Sequence, residues 1–174
     1  MSYPVTGRMA DSTRPELIPD KFALRPNGVL VYVDGAYRWP ETQVRRFPRH
    51  WRITTTGNPL MAEHARVIDV ERFDATPADV EPYQNARDRI GDRTVVYCDR
   101  STIPAVVQAN NEWPHLLWMI ATLDGRNWNP QSLAADISLN ERIYLDARLI
   151  HAIQNIPGEN FDTSLMFGDS EWAK

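Results

Sequence analysis

A chain of 174 residues, 43% hydrophobic and 24% charged, is long enough for one domain with a sizeable core and has ordinary globular composition. Its net charge of −4, with arginines spread along the chain and densest at Arg38, Arg45, Arg46, Arg49 and Arg52, provides no clustered footprint for a phosphate backbone, so nucleic acid is excluded as a partner. A single cysteine, Cys98, rules out an internal disulfide and a thiolate metal centre, and no apolar run is long enough to span a bilayer, so no membrane partner is expected.

Residues 1–28 carry Pro4, Pro15, Pro19 and Pro26 in a polar segment without sustained period, which reads as an extended N-terminal arm. Such an arm suits contact with other proteins of an assembly. The first ten residues lack an apolar h-region, so the expectation is a protein made in the cytoplasm without a signal peptide. From residue 29 to 174 short apolar runs alternate with helical patterns. Residues 29–33 form a buried strand ending at Asp34-Gly35, and 40–47 a short helix with Pro40 at its first position. Residues 52–56 and 65–71 are strand-like and rich in β-branched side chains. Thr76-Pro77-Ala78-Asp79 marks a helix start with Thr76 capping, and Gly91 marks its end. Residues 94–98 form a strand, and Ser101 opens a helix to about Asn110. A further strand covers 116–123, and 126–147 fits either helix or strand. Residues 149–154 and 161–167 read as two last strands joined by a Pro157-Gly158 turn.

Strand alternating with helix implies parallel strands with right-handed crossovers. The expected fold class is therefore α/β, a (β/α) TIM-like barrel reduced in size, with pared-down helices, missing helices or an open sheet as the alternatives. In such a sheet the C-terminal strand ends form the ligand face. Asp34, Asp69, Glu71, Asp99 and Asp124 all fall there. Asp69 and Glu71 are two apart on a strand and so share a face. Two carboxylates held together resist joint ionisation, which leaves an acid beside an anion, the pair that glycosidic cleavage requires. The structural alternative is that such acids cap helices or pair with Arg72 and Arg100. His50, His64, His115 and His151 show no H-x-x-x-H spacing and no glycine-rich phosphate loop is present, so neither metal nor cofactor is expected.

Asp69-Val70-Glu71, then Val96-Tyr97-Cys98-Asp99-Arg100-Ser101, then Leu117-Trp118-Met119-Ile120-Ala121 resemble, in this order, the D-x-E, Tyr-bearing and Trp-bearing strands of the family 25 lysozymes and related glycosidase-like domains. His151-Ala152-Ile153-Gln154 and Phe161-Asp162-Thr163-Ser164 are similar to the family's closing strands, and Val31-Tyr32-Val33-Asp34-Gly35 takes the place of its early one. The turn Asp74-Ala75-Thr76-Pro77 is closest to short versions from actinobacteria and their phages. The resemblance implies Glu71 as general acid, Asp69 as the group that orients substrate or stabilises charge, and Asp34 and Asp162 lining the same mouth. It implies Gln154 and Tyr97 as polar contacts, and Trp118, with Trp39 and Trp128, as sugar-stacking surfaces; core packing is the alternative for Trp118. Two functions stay open: a glycoside hydrolase, lysozyme-like, acting on bacterial cell-wall glycan, or a non-catalytic phage virion or minor tail protein that keeps the barrel for host recognition or assembly. A phosphoacceptor domain built on Asp69 is disfavoured, because the only lysines, Lys21 and Lys174, lie outside the strands.

Overall fold

The computed structural model describes residues 3–110, 115–141, 143–156 and 161–167. Eight strands close into one barrel in chain order: β1 (Val5–Asp11), β2 (Gly28–Tyr32), β3 (His50–Thr54), β4 (Val67–Asp69), β5 (Val95–Asp99), β6 (Leu117–Ala121), β7 (Ile150–Ile156) and β8 (Asp162–Phe167). β1 to β6 each pair in parallel with the next strand, and β8 runs antiparallel between β7 and β1. The described helices are α1 (Glu41–Val44), α2 (Val80–Arg89), α3 (Ile103–Ala109) and α4 (Pro130–Glu141).

This corrects the expected fold class. The molecule is a closed, mixed, sheet-dominated barrel with four α-helices among the described residues, not a helix-surrounded (β/α) TIM-like barrel, and the sheet is not open. The chain is too short to wind a helix into every crossover. Between β1 and β2 it makes only the 3-10 turns Pro15–Leu17 and Asp20–Ala23, and between β3 and β4 only Pro59–Glu63. The connection from Ile156 to Asp162 spans five residues, which can join antiparallel but not parallel neighbours. The segment expected as an arm also differs. Val5–Asp11 is a barrel strand bonded to both β2 and β8, and Met9 and Ala10 are fully buried. The expected Pro157-Gly158 turn, and residues 168–174 of the domain expected over 29–174, lie outside the described residues.

Strand side chains alternate between two apolar compartments. Trp51, Ile53, Val67, Val95, Leu117 and Met119 belong to the lumen cluster. Ile68, Val96, Cys98, Trp118 and Ile120 face outward and pack under the helices through Tyr83, Ile103, Val106, Leu133 and Ile137. Each such large side chain removed from water stabilises the fold by about 1.5–3 kcal/mol. The start expected at Thr76 is a 3-10 turn, Pro77–Asp79, that leads into α2: the Thr76 backbone N–H donates to the Asp79 carboxylate at 2.8 Å, and Pro77 stands first in the turn. Among the described residues no helix is long and apolar enough to cross a membrane.

One charged side chain fastens α2 to the barrel. Arg87 is buried, and its Nη1 donates to the Ala62 carbonyl at 2.6 Å and to the Ala65 carbonyl at 3.3 Å. Its Nη2 pairs with Asp92, and Tyr83 Oη donates to the same Ala65 carbonyl at 2.7 Å. The carbonyls at the end of the Pro59–Glu63 turn thus have α2 as their donor source. Arg87→Met keeps the length of the stem but takes the guanidinium from the Ala62 carbonyl, leaves Ala65 to Tyr83 alone and removes one partner of Asp92. It is expected to lower the unfolding free energy by about 2–4 kcal/mol in urea titration, with the far-ultraviolet spectrum of the native state unchanged.

Candidate active site at the barrel mouth

Parallel strands β1 to β7 aim their C-terminal ends at one mouth, and antiparallel β8 brings its first residue there. Asp11, the last residue of β1, lies opposite Asp162, the first of β8. Asp69 ends β4, with Tyr97 of β5 beside it. Glu71 follows two residues later, and one carboxylate oxygen each from Asp69, Glu71 and Asp74 lie within 4.8 Å of one another.

The acids differ in depth. Asp69 is 2% exposed, and its Oδ1 is buried without a hydrogen-bond partner. Burial, followed by the charges of Glu71, Asp74, Asp11 and Asp34, pushes its pKa up to about 9. Glu71 is half-buried and is also raised, by burial first and then by Asp99, Asp74 and Asp162. Asp74 is raised by burial and by Asp34. Every charged group that shifts Asp69 or Glu71 is itself a carboxylate, so the mouth relieves its repulsion by holding protons.

Beneath this pair runs a buried hydrogen-bond chain. Tyr97 Oη donates to Gln154 Oε1 at 2.7 Å, and Gln154 Nε2 donates to Asp11 Oδ2 at 3.1 Å. Gln154 is 1% exposed, and the ionised Asp11 carboxylate, which can only accept, fixes its amide orientation and leaves Oε1 for the Tyr97 hydroxyl. Asp11 is pushed up to about 7 by burial, Asp162 and Glu71, with the Gln154 bond opposing the rise. A cavity of about 280 Å³ opens over this floor and is lined by Asp11, Tyr32, Glu71, Tyr97, Phe161 and Asp162. A larger groove of about 710 Å³ shares Tyr32, is lined also by Asp34, and runs outward over Val31, Arg52 and His64, where the short α1 leaves β2 and β3 thinly covered. The smaller cavity is the chemical one, because it holds Glu71 and the acids around it.

The structure therefore brings together Glu71, Asp69, Asp162, Gln154 and Tyr97. It gives Asp34 a different setting. The Asp34 carboxylate accepts from Thr55 N at 2.8 Å, from Thr56 Oγ1 at 2.9 Å and from Thr54 Oγ1, clasping the loop after β3 to the loop after β2. Trp118 is not a substrate contact: it is 0% exposed, faces away from the lumen and packs beneath the helices. Trp39 is also buried and donates Nε1 to the Ser12 carbonyl at 2.9 Å, while Trp128 Nε1 donates to Asp124 at 3.0 Å. Asp99 caps the turn before α3 by accepting from Ser101 N at 2.6 Å, and its pKa is lowered by the Ser101 and Thr102 bonds despite its burial. Histidine spacing pointed to no metal, but the three oxygens of Asp69, Glu71 and Asp74 lie close enough to hold a cation together.

Sequence reasoning missed Asp11. The signal was there in Met9-Ala10-Asp11-Ser12, an apolar pair running into an acid and a small polar residue, but Gly7, Arg8 and the following prolines hid the strand.

Asp69 and Asp11 hold a proton more tightly in the folded protein than in the unfolded chain. The stability this confers is full below the ordinary carboxylate range and is lost as pH rises through about 7 for Asp11 and about 9 for Asp69. Tm is therefore expected to fall by about 3–8 °C between pH 5 and pH 9.5. Asp69→Asn, neutral throughout, should raise Tm at pH 9.5 and flatten the upper part of that slope in calorimetric scans. A Tm that rises with pH across this range would overturn the electrostatic account.

No protein-family model matches the chain, and no curated protein matches it. Among solved structures it is similar to an uncharacterized protein of B. stearothermophilus, with 12% sequence identity and a TM-score of 0.59, over 95% of this chain and 98% of that one. At that identity the likeness shows a shared fold and nothing of the chemistry.

Proposed function

We propose that the chain is a glycoside hydrolase-like protein, phage-encoded, that acts on or binds bacterial cell-wall glycan. The observation that carries this reading is Asp69: a buried carboxyl with an unpartnered oxygen, held protonated, on the same face as the more accessible Glu71. Leaving such a group inside a barrel is costly unless a ligand completes it.

In this reading Asp69 and Glu71 titrate as a pair that shares a proton at neutral pH. Glu71, nearer the solvent, delivers the proton to the leaving glycosidic oxygen. The negative charge then left on the pair stabilises the oxocarbenium-like centre, or the ring formed when a substrate N-acetyl group attacks it. Water adds to the anomeric carbon and returns a proton to the pair. Oxygens within 4.8 Å of one another leave little room for the intervening water of an inverting enzyme, whose carboxyls stand about 6.5–9.5 Å apart. A retaining or N-acetyl-assisted course is favoured. Gln154 and Tyr97 act from below by fixing Asp11, which adds to the field that keeps the pair protonated.

A second reading is a non-catalytic virion or minor tail protein that keeps the barrel for wall recognition or assembly. The net charge of −4 and the crowding of Asp11, Asp69, Glu71, Asp74 and Asp162 at one mouth favour its assembly branch, since an anionic wall repels such a surface whether it is to be cut or bound.

Release of soluble sugar from purified actinobacterial peptidoglycan separates the two. Wild type should release sugar, and Glu71→Gln should lose at least about a hundredfold in rate with its Tm retained. No release by wild type from several walls would overturn the hydrolase reading. Sedimentation with the same walls would then distinguish a glycan-binding module from a structural part.

A further inference from the structure

Among the described residues two non-glycine residues have left-handed backbone, Phe73 at φ 78° and Leu123 at φ 48°. Both stand in loops that leave the mouth end of a strand, Phe73 after β4 and Leu123 after β6. Both also expose large apolar side chains, Phe73 to 89% and Leu123 to 52%.

Phe73 is the stronger case. The Asp74 N–H donates to the Glu71 carbonyl at 3.1 Å, closing a four-residue turn in which Phe73 is third. That position, at positive φ, is ordinarily glycine or asparagine, because any bulkier side chain is strained there. The next backbone bond, Ala75 N–H to the Asp69 carbonyl at 3.1 Å, ties the same turn to the end of β4. The loop is thus anchored through its backbone to both members of the acid pair. Neither the turn nor the core needs an aromatic residue here: glycine would suit the backbone better, and the ring contributes almost nothing to burial. The Arg72 guanidinium lies 4.6 Å from the ring centroid, steadying one face of a side chain that is still almost wholly open to solvent. Strain held at an exposed aromatic beside an acid pair points to a ligand that meets the ring.

We propose that Phe73 is the sugar-stacking platform of the mouth, its ring taking the apolar C–H face of a β-linked pyranose next to the bond held over Asp69 and Glu71. This rests on the glycan reading above and adds the residue that positions the chain of sugars across the rim. Flat aromatic rings suit this task because they offer apolar area with little rotamer entropy to lose.

The test is sedimentation with purified actinobacterial peptidoglycan, with thermal denaturation of the same samples. Phe73→Gly relieves the backbone, so its Tm should be unchanged or higher by up to about 4 °C, while wall retention falls at least about fivefold. Phe73→Leu, which keeps bulk but lacks the flat ring, should fall likewise, and Phe73→Trp should stay within about twofold of wild type. Retention of the folded Gly and Leu variants at the wild-type level would overturn the platform while leaving the glycan reading intact. Equal loss in Leu and Trp would also overturn it, since the ring would then not be what matters. Failure of wild type itself to sediment with any wall would overturn the glycan reading and this inference together.

Discussion

Closure of the barrel by β8 is the constraint on which the rest depends. Seven parallel strands would leave β1 and β7 with unpaired edges, open to aggregation. One strand inserted antiparallel between them removes both edges at once. The same insertion places Asp162 against Asp11 and sets Gln154, on the neighbouring strand, within reach of the Asp11 carboxylate. The floor of the mouth is therefore a product of closure: its groups come from residues 11, 97, 154 and 162, and only the complete ring brings them together.

The cost of that arrangement is concentrated at one end. Carboxylates gather at the mouth with no basic side chain among the charges that shift Asp69 and Glu71, and burial raises the protonation of the deepest of them. The opposite demand is met on the flanks, where the guanidinium of Arg87 is used to satisfy backbone carbonyls and α2 to α4 cover the outward faces of β4 to β7. The β2–β3 flank, with its four-residue α1, is thinner. Rigid packing on one side and electrostatic tension at the mouth are the division expected of a scaffold that keeps an unsatisfied site in place.

Much of this was legible in the residues. Strands β2 to β7 announce themselves as apolar or β-branched runs, and the capping signal at Thr76-Pro77-Ala78-Asp79 places the start of α2. The face shared by Asp69 and Glu71 follows from a period of two. The antiparallel last strand was also within reach, because the few residues after Ile156 cannot make a parallel crossover. What hid was β1. It exposes Val5 and buries Asp11, against the usual pattern, Gly7 and Arg8 interrupt the run, and its burial comes from neighbours far away in sequence. With β1 went Asp11. The settings of Asp34 and Trp118 were hidden for a related reason: the chain shows which residue types end a strand, but not which of them are held by a threonine loop, as Asp34 is, or lie under a layer of helices, as Trp118 does.

Since β8 runs against β1, Val5 lies opposite Phe167, at the end of the barrel remote from Asp11 and Asp162. Entry to the first strand and exit from the last therefore share one pole, and the acids occupy the other.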